Sequence, residues 1–139
     1  MAKQSLVERI PESHRYLLAD ETQAFAWVAA VMPGGGPQLT AVWFNTDGEH
    51  ILFGTSTGAA KYRYFKANDR VAVSIPDPRD PYKYIQLRGR VELTEEGAVE
   101  HTHALSRKYT GQDFNIAPGS VRVMYKVKPQ RITLWPPGS

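Results

Sequence analysis

Residues 82–94, YKYIQLRGRVELT, alternate apolar and polar side chains with a period of two. Ile85, Leu87, Gly89, Val91 and Leu93 share one side, and Tyr82, Tyr84, Gln86, Arg88, Arg90 and Glu92 share the other. Successive side chains of a strand point to opposite faces, so this stretch reads as a long, half-buried β-strand. Its neighbours also read as β. Residues 24–32 (AFAWVAAVM) form an almost continuous apolar run, and the Pro33–Pro37 turn separates it from a second strand at 38–45. Asp47-Gly48 supplies a tight turn into a third strand at 49–55, and these three strands are expected to form an antiparallel meander. Strands at 70–75, 121–127 and 130–135 complete about seven. Helices are expected at 12–20, with Tyr16 and Leu17 inward, at 58–68, and from the Thr94-Glu95-Glu96 cap to about Tyr109, with Ala98, Thr102 and Leu105 inward. The fold class is therefore mainly β with short helices, and closing the sheet into a barrel removes exposed strand edges.

The chain has 139 residues, enough for one domain spanning 1–139 with a real hydrophobic core. It contains no cysteine, which excludes disulfides, iron–sulfur clusters and thiol catalysis. No apolar run approaches the length of a membrane span, and residues 1–20 contain no apolar leader segment, so a cytoplasmic location is expected. The net charge of +3 is mild and slightly favours an anionic small ligand over nucleic acid or a membrane surface.

The stretch Phe53-Gly54-Thr55-Ser56-Thr57-Gly58-Ala59-Ala60-Lys61 carries the most chemistry. A strand ends in hydroxyl residues and a glycine, then a helix begins with a lysine in its first turn. Free N–H groups at such a terminus, three hydroxyls and an ammonium suit a phosphate. The plainer reading makes Ser56 or Thr57 the helix cap and Lys61 a solvated surface residue. The polar face of strand 82–94 reads either as solvent-facing or as a subunit interface or cavity wall, for which Tyr and Arg are suited. His101 and His103 lie two apart on a helix and cannot clamp one metal, and no other metal spacing is present. Neither a Gly-x-Ser-x-Gly elbow nor a Walker loop occurs, and Gly34-Gly35-Gly36 joins two strands rather than a strand and a helix. Trp27, Trp43 and Trp135 read as core or barrel-end residues. Tyr16 and the Gly34–Gly36 loop are placed to close over a substrate.

Taken in order, Leu39-Thr40-Ala41-Val42-Trp43-Phe44, Asp47-Gly48, Phe53 to Lys61, Asp69-Arg70-Val71, Asp77-Pro78-x-x-Pro81-Tyr82, Arg88-Gly89-Arg90-Val91 and Lys108-Tyr109-Thr110-Gly111 resemble the pyridoxamine 5'-phosphate oxidase-like split-barrel family, in its flavin/deazaflavin oxidoreductase branch. The likeness covers roughly residues 10–135. It implies a split β-barrel working as a homodimer, with FMN or the deazaflavin coenzyme F-420 at the subunit interface, and FAD or haem as rarer choices. It implies that Thr40, Ala41 and Val42 contact the ring, that Thr55, Ser56 and Lys61 hold the phosphate, and that Tyr84 reaches the ring from the second subunit, with Gln86 and Arg88 on the same face as further cofactor-binding residues. It implies hydride transfer to a small unsaturated organic substrate, with no catalytic side chain assigned, or else a non-catalytic cofactor carrier or haem-binding protein of the same fold. A nucleic-acid-binding barrel is the remaining rival. Where relatives carry an arginine just before the lysine this chain has Ala59 and Ala60, and Arg63 is the nearest substitute. The chain also lacks the C-terminal arginine segment of the true oxidases, so that reaction is not expected.

Overall fold

The computed structural model describes residues 4–137. Seven strands form one antiparallel sheet that curls into a split barrel. They are β1 (Ala26–Val31), β2 (Pro37–Val42), β3 (Asn45–Thr46), β4 (Ile51–Ser56), β5 (Arg70–Asp77), β6 (Asp80–Thr94) and β7 (Arg122–Trp135). Three helices accompany them: α1 (Glu12–Arg15), α2 (Ala60–Ala67) and α3 (Ala98–Thr110). The strand order is β2-β1-β5-β6-β7-β4-β3.

The alternation of β6 holds as expected. Ile85, Leu87, Gly89 and Val91 are buried, whereas Arg88, Arg90 and Glu92 are exposed. Beneath this face the core packs rings: Phe53 stacks on Tyr125 with centroids 4.7 Å apart, and Phe65 from α2 meets Tyr125 edge-on at 5.7 Å. Each such buried side chain contributes roughly 1.5–3 kcal/mol of hydrophobic stabilisation. The glycine turn between β1 and β2 also forms, with Gly35 at φ +92° and its N–H donated to Met32 O at 2.8 Å.

Four expectations are corrected. β1 and β2 form the expected hairpin, but β4 pairs with β7 and β3 instead of continuing a meander beside β2. Which edge a strand chooses depends on residues some 70 positions away, and short-range patterning carries no record of that. The last two strands are one: β7 runs from Arg122 to Trp135 with an irregularity opposite Arg88 and Gly89. Pro129 suits that bulge because proline has no N–H to donate to a ladder. The segment expected to be a helix at 12–20 is α1 followed by two short 3-10 turns; Leu17 is fully buried, but Tyr16 faces outward and donates its hydroxyl to Asp77. Finally, Trp27 and Trp135 are 44% and 51% exposed on the outer face of the sheet, so neither is a core residue.

Candidate functional site

The absent pairing between β2 and β4 creates the site. β2 ends the sheet and bonds only to β1, while β3 covers β4 only at Ile51 and Leu52. Among the described residues, the outer edges of β2 and of Phe53–Ser56 therefore have no strand beside them. A cleft of about 390 Å³ opens there, bordered by Ala41, Val42 and Trp43 on one lip and by Gly54 and Thr55 on the other. Its remaining walls come from Phe25, from Thr102 and Leu105 of α3, and from Phe114 and Arg122. Unpaired strand edges present main-chain donors and acceptors, so a flat polar ring lying in the split meets groups that otherwise need water.

An aromatic tier shapes the cleft. Tyr109, at the end of α3, stacks between Phe25 and Trp43 with centroids 5.3 Å from each, and Phe114 stands edge-on to Trp43 at 6.5 Å. The Tyr109 hydroxyl donates to Ala24 O, and the N–H of Phe44 donates to the Tyr109 oxygen at 3.3 Å. Lys108 adds a second tie, donating from Nζ to Phe44 O at 2.7 Å. The Lys108-Tyr109 pair thus fastens α3 to the segment joining β2 and β3, which fixes one lip.

Three of the residues expected to bind a cofactor, Ala41, Val42 and Thr55, border this cleft together. Thr40 precedes them on β2, and its hydroxyl oxygen is buried with no hydrogen-bond partner. Ser56 and Lys61 follow Thr55 at the β4–α2 junction. Ala59 occupies the N-cap of α2 and no side chain caps that helix, so neither Ser56 nor Thr57 plays the capping role. The N–H groups of Ala60 and Lys61 in the first turn are consequently free of intrahelical partners. Lys61 is half-buried; burial pulls its ammonium below the ordinary lysine range, and among the described residues no carboxylate lies within ion-pair distance of it. Arg63 is exposed on α2. Tyr84, Gln86 and Arg88 lie on the outer face of β6 and do not border the cleft. Tyr16 and the Gly34–Gly36 loop do not border it either.

Sequence reasoning missed Arg122, Phe114 and the polar role of Thr102. Arg122 Nε donates to Thr102 Oγ1 at 3.0 Å, and its guanidinium stands 5.2 Å over the Phe114 ring. Burial pulls Arg122 below its usual range. Behind it, His101 is buried, and desolvation first, then the Arg122 charge, push its pKa down to about 4. Its Nε2 lies 2.8 Å from Asn45 Oδ1, which leaves Nδ1 without a partner.

A set of hydroxyls and one charge fits an anionic, ring-bearing group: Thr40, whose hydroxyl has no partner among the described residues, and Thr55, Ser56 and Lys61 lie along or just beyond two open strand edges, with Lys61 Nζ 5.9 Å over the Phe53 ring. The family model described as pyridoxamine 5'-phosphate oxidase matches residues 10–136. The chain is similar to a solved F420 reductase at 35% identity and a TM-score of 0.77, covering 89% of this chain and 98% of that one. It shares its fold with the conserved hypothetical protein Rv2991 of Mycobacterium tuberculosis (21% identity, TM-score 0.73, 96% and 89% covered). The same holds for General Stress Protein 26 of Bacillus anthracis (18%, 0.65, 88% and 95%). No curated protein matches.

Proposed function

Because the chain belongs to the pyridoxamine 5'-phosphate oxidase family of split barrels, we propose that it is a flavin- or deazaflavin-dependent oxidoreductase acting on an unsaturated organic substrate. The observation that carries this reading is the open split itself, with a half-buried Lys61, without a carboxylate partner among the described residues, on the helix that follows the Gly54–Thr55 lip. A bound reduced cofactor supplies a hydride, and the protein supplies position and dryness. Thr55, Ser56, Lys61 and the first-turn N–H groups of α2 hold a phosphate. Thr40, Ala41 and Val42 line the ring along β2. Trp43, Phe25 and Phe114 keep water from the reacting face. Ala59 and Ala60 contribute no charge, which leaves Lys61 as the half-buried cation of the first turn of α2, where Arg63 is exposed.

The deazaflavin coenzyme is the favoured partner, since the F420 reductase is similar over nearly its whole length; FMN is the alternative. We place a second copy of the chain on the outer face of β1, β5, β6 and β7, so that its Tyr84, Gln86 and Arg88 reach the cleft. Titration of the protein with FMN, FAD, riboflavin and the deazaflavin coenzyme, followed by tryptophan quenching, tests the assignment. Lys61→Ala is expected to weaken the phosphorylated ligands by about 10- to 100-fold and riboflavin hardly at all, the cost of one charge-assisted hydrogen bond. Equal FMN affinity in variant and wild type would refute the phosphate site.

A further inference from the structure

Arg122 has no anionic partner. Among the described residues no carboxylate lies within 4.0 Å of it, although burial already disfavours its charge. A guanidinium cannot shed its proton to escape that cost. It sits on β7 opposite Ser56 and reaches back along the sheet, where its Nη2 would lie 3.7 Å from a Cβ at Gly54. The missing side chain of Gly54 therefore leaves the space in front of the guanidinium open. Orientation is fixed from behind, because Thr102 Oγ1 accepts from Arg122 Nε and itself donates to Ala98 O at 2.8 Å. With Nε occupied, the terminal nitrogens face the cleft. His101 is neutral and adds no competing charge. Phe114, Leu105, Trp43 and Phe25 line the same cleft and give it apolar and aromatic walls beside Thr55 and Thr102. One fixed cation among aromatic walls recognises a flat body bearing a planar anion, since a guanidinium matches a carboxylate in two parallel hydrogen bonds.

We propose that Arg122 is a specificity residue that anchors the carboxylate of an aromatic or conjugated organic acid in the split. The proposal rests on the split being the ligand cleft and is separate from the phosphate assignment at Lys61. Calorimetric titration with 2-naphthoate and its neutral counterpart 2-naphthalenemethanol tests it. Wild type is expected to bind the acid at least about 10-fold more tightly, the worth of a charge-assisted pair. Arg122→Gln is expected to bring the two probes to nearly equal affinity, and Arg122→Lys to restore part of the preference. In Arg122→Gln the preference for FMN over riboflavin is expected to persist. Three results overturn the proposal: equal affinity of the two probes for wild type, an acid preference that survives Arg122→Gln, or loss of the FMN preference in that variant, which would give Arg122 to the cofactor's phosphate. If neither FMN nor the deazaflavin coenzyme binds, the oxidoreductase reading falls, while the naphthoate comparison still decides the role of Arg122.

Discussion

Gly89 marks a close approach of β6 and β7. A Cβ there would stand 2.0 Å from the carbonyl oxygen of Lys128, so any side chain forces the two backbones apart. Gly89 pairs with Pro129 while Arg88 pairs with Arg131, leaving Gln130 as the extra residue of the bulge. Gly89→Ala is expected to cost about 3 kcal/mol by urea unfolding, because the obstruction is main chain and cannot rotate away. At this scale the sequence was legible where chemistry clusters along the chain. Thr55, Ser56 and Lys61 lie close together in the chain, across the end of β4 and the start of α2, and announce a donor-rich junction. Arg122 was not legible, because an arginine on the polar side of an alternating strand looks the same whether it meets solvent or a ligand. Its partners, Thr102 and Phe114, lie 20 and 8 residues away.

α3 does more than cover β4. Its buried face presents Ala98, His101, Thr102 and Leu105, three of which the pattern of apolar and small residues picked out. His101 makes the docking of this helix sensitive to acid. In the unfolded chain the imidazole titrates near 6.5; in the folded protein burial, helped by Arg122, holds it at about 4. Its folded pKa is thus depressed, so its contribution is intact above pH 6.5 and is lost as the pH falls toward 4. Below 6.5 the unfolded chain binds a proton that the folded one refuses. Wild type is expected to lose up to about 3 kcal/mol more stability between pH 7 and pH 4 than His101→Gln, read from urea midpoints at each pH. Element types were mostly legible because periodicity is local. Pairing was not: the same apolar run at 49–55 suits a place beside β2 or beside β7, and only packing against Val123, Tyr125 and Val127 selects the latter.

Across the whole molecule the outer sheet face stands out. Trp27 is 44%, Leu39 63% and Trp135 51% exposed, with Ala29, Ala41 and Ala72 between the strands and Gln86 and Arg88 beside them. An apolar patch of this kind with a polar border suits an interface, and Ala41 joins it to the cleft. The protein is expected to sediment as a dimer, and Trp27→Glu to weaken that dimer by at least about 10-fold as a buried, unpaired charge would. Cofactor affinity should fall with it. The barrel followed from the set of about seven strands and the split from the family resemblance, but which strands flank the gap did not, since a gap is the lack of a partner. That gap has a lasting effect on how such a chain can change. Its rims are main chain, identical whichever amino acids occupy them, so the ledge on which a flat guest rests survives substitution. Ala41, Leu105 or Arg122 can be exchanged to suit another guest without rebuilding the shelf, and a lineage using this architecture is free to trade one substrate for the next.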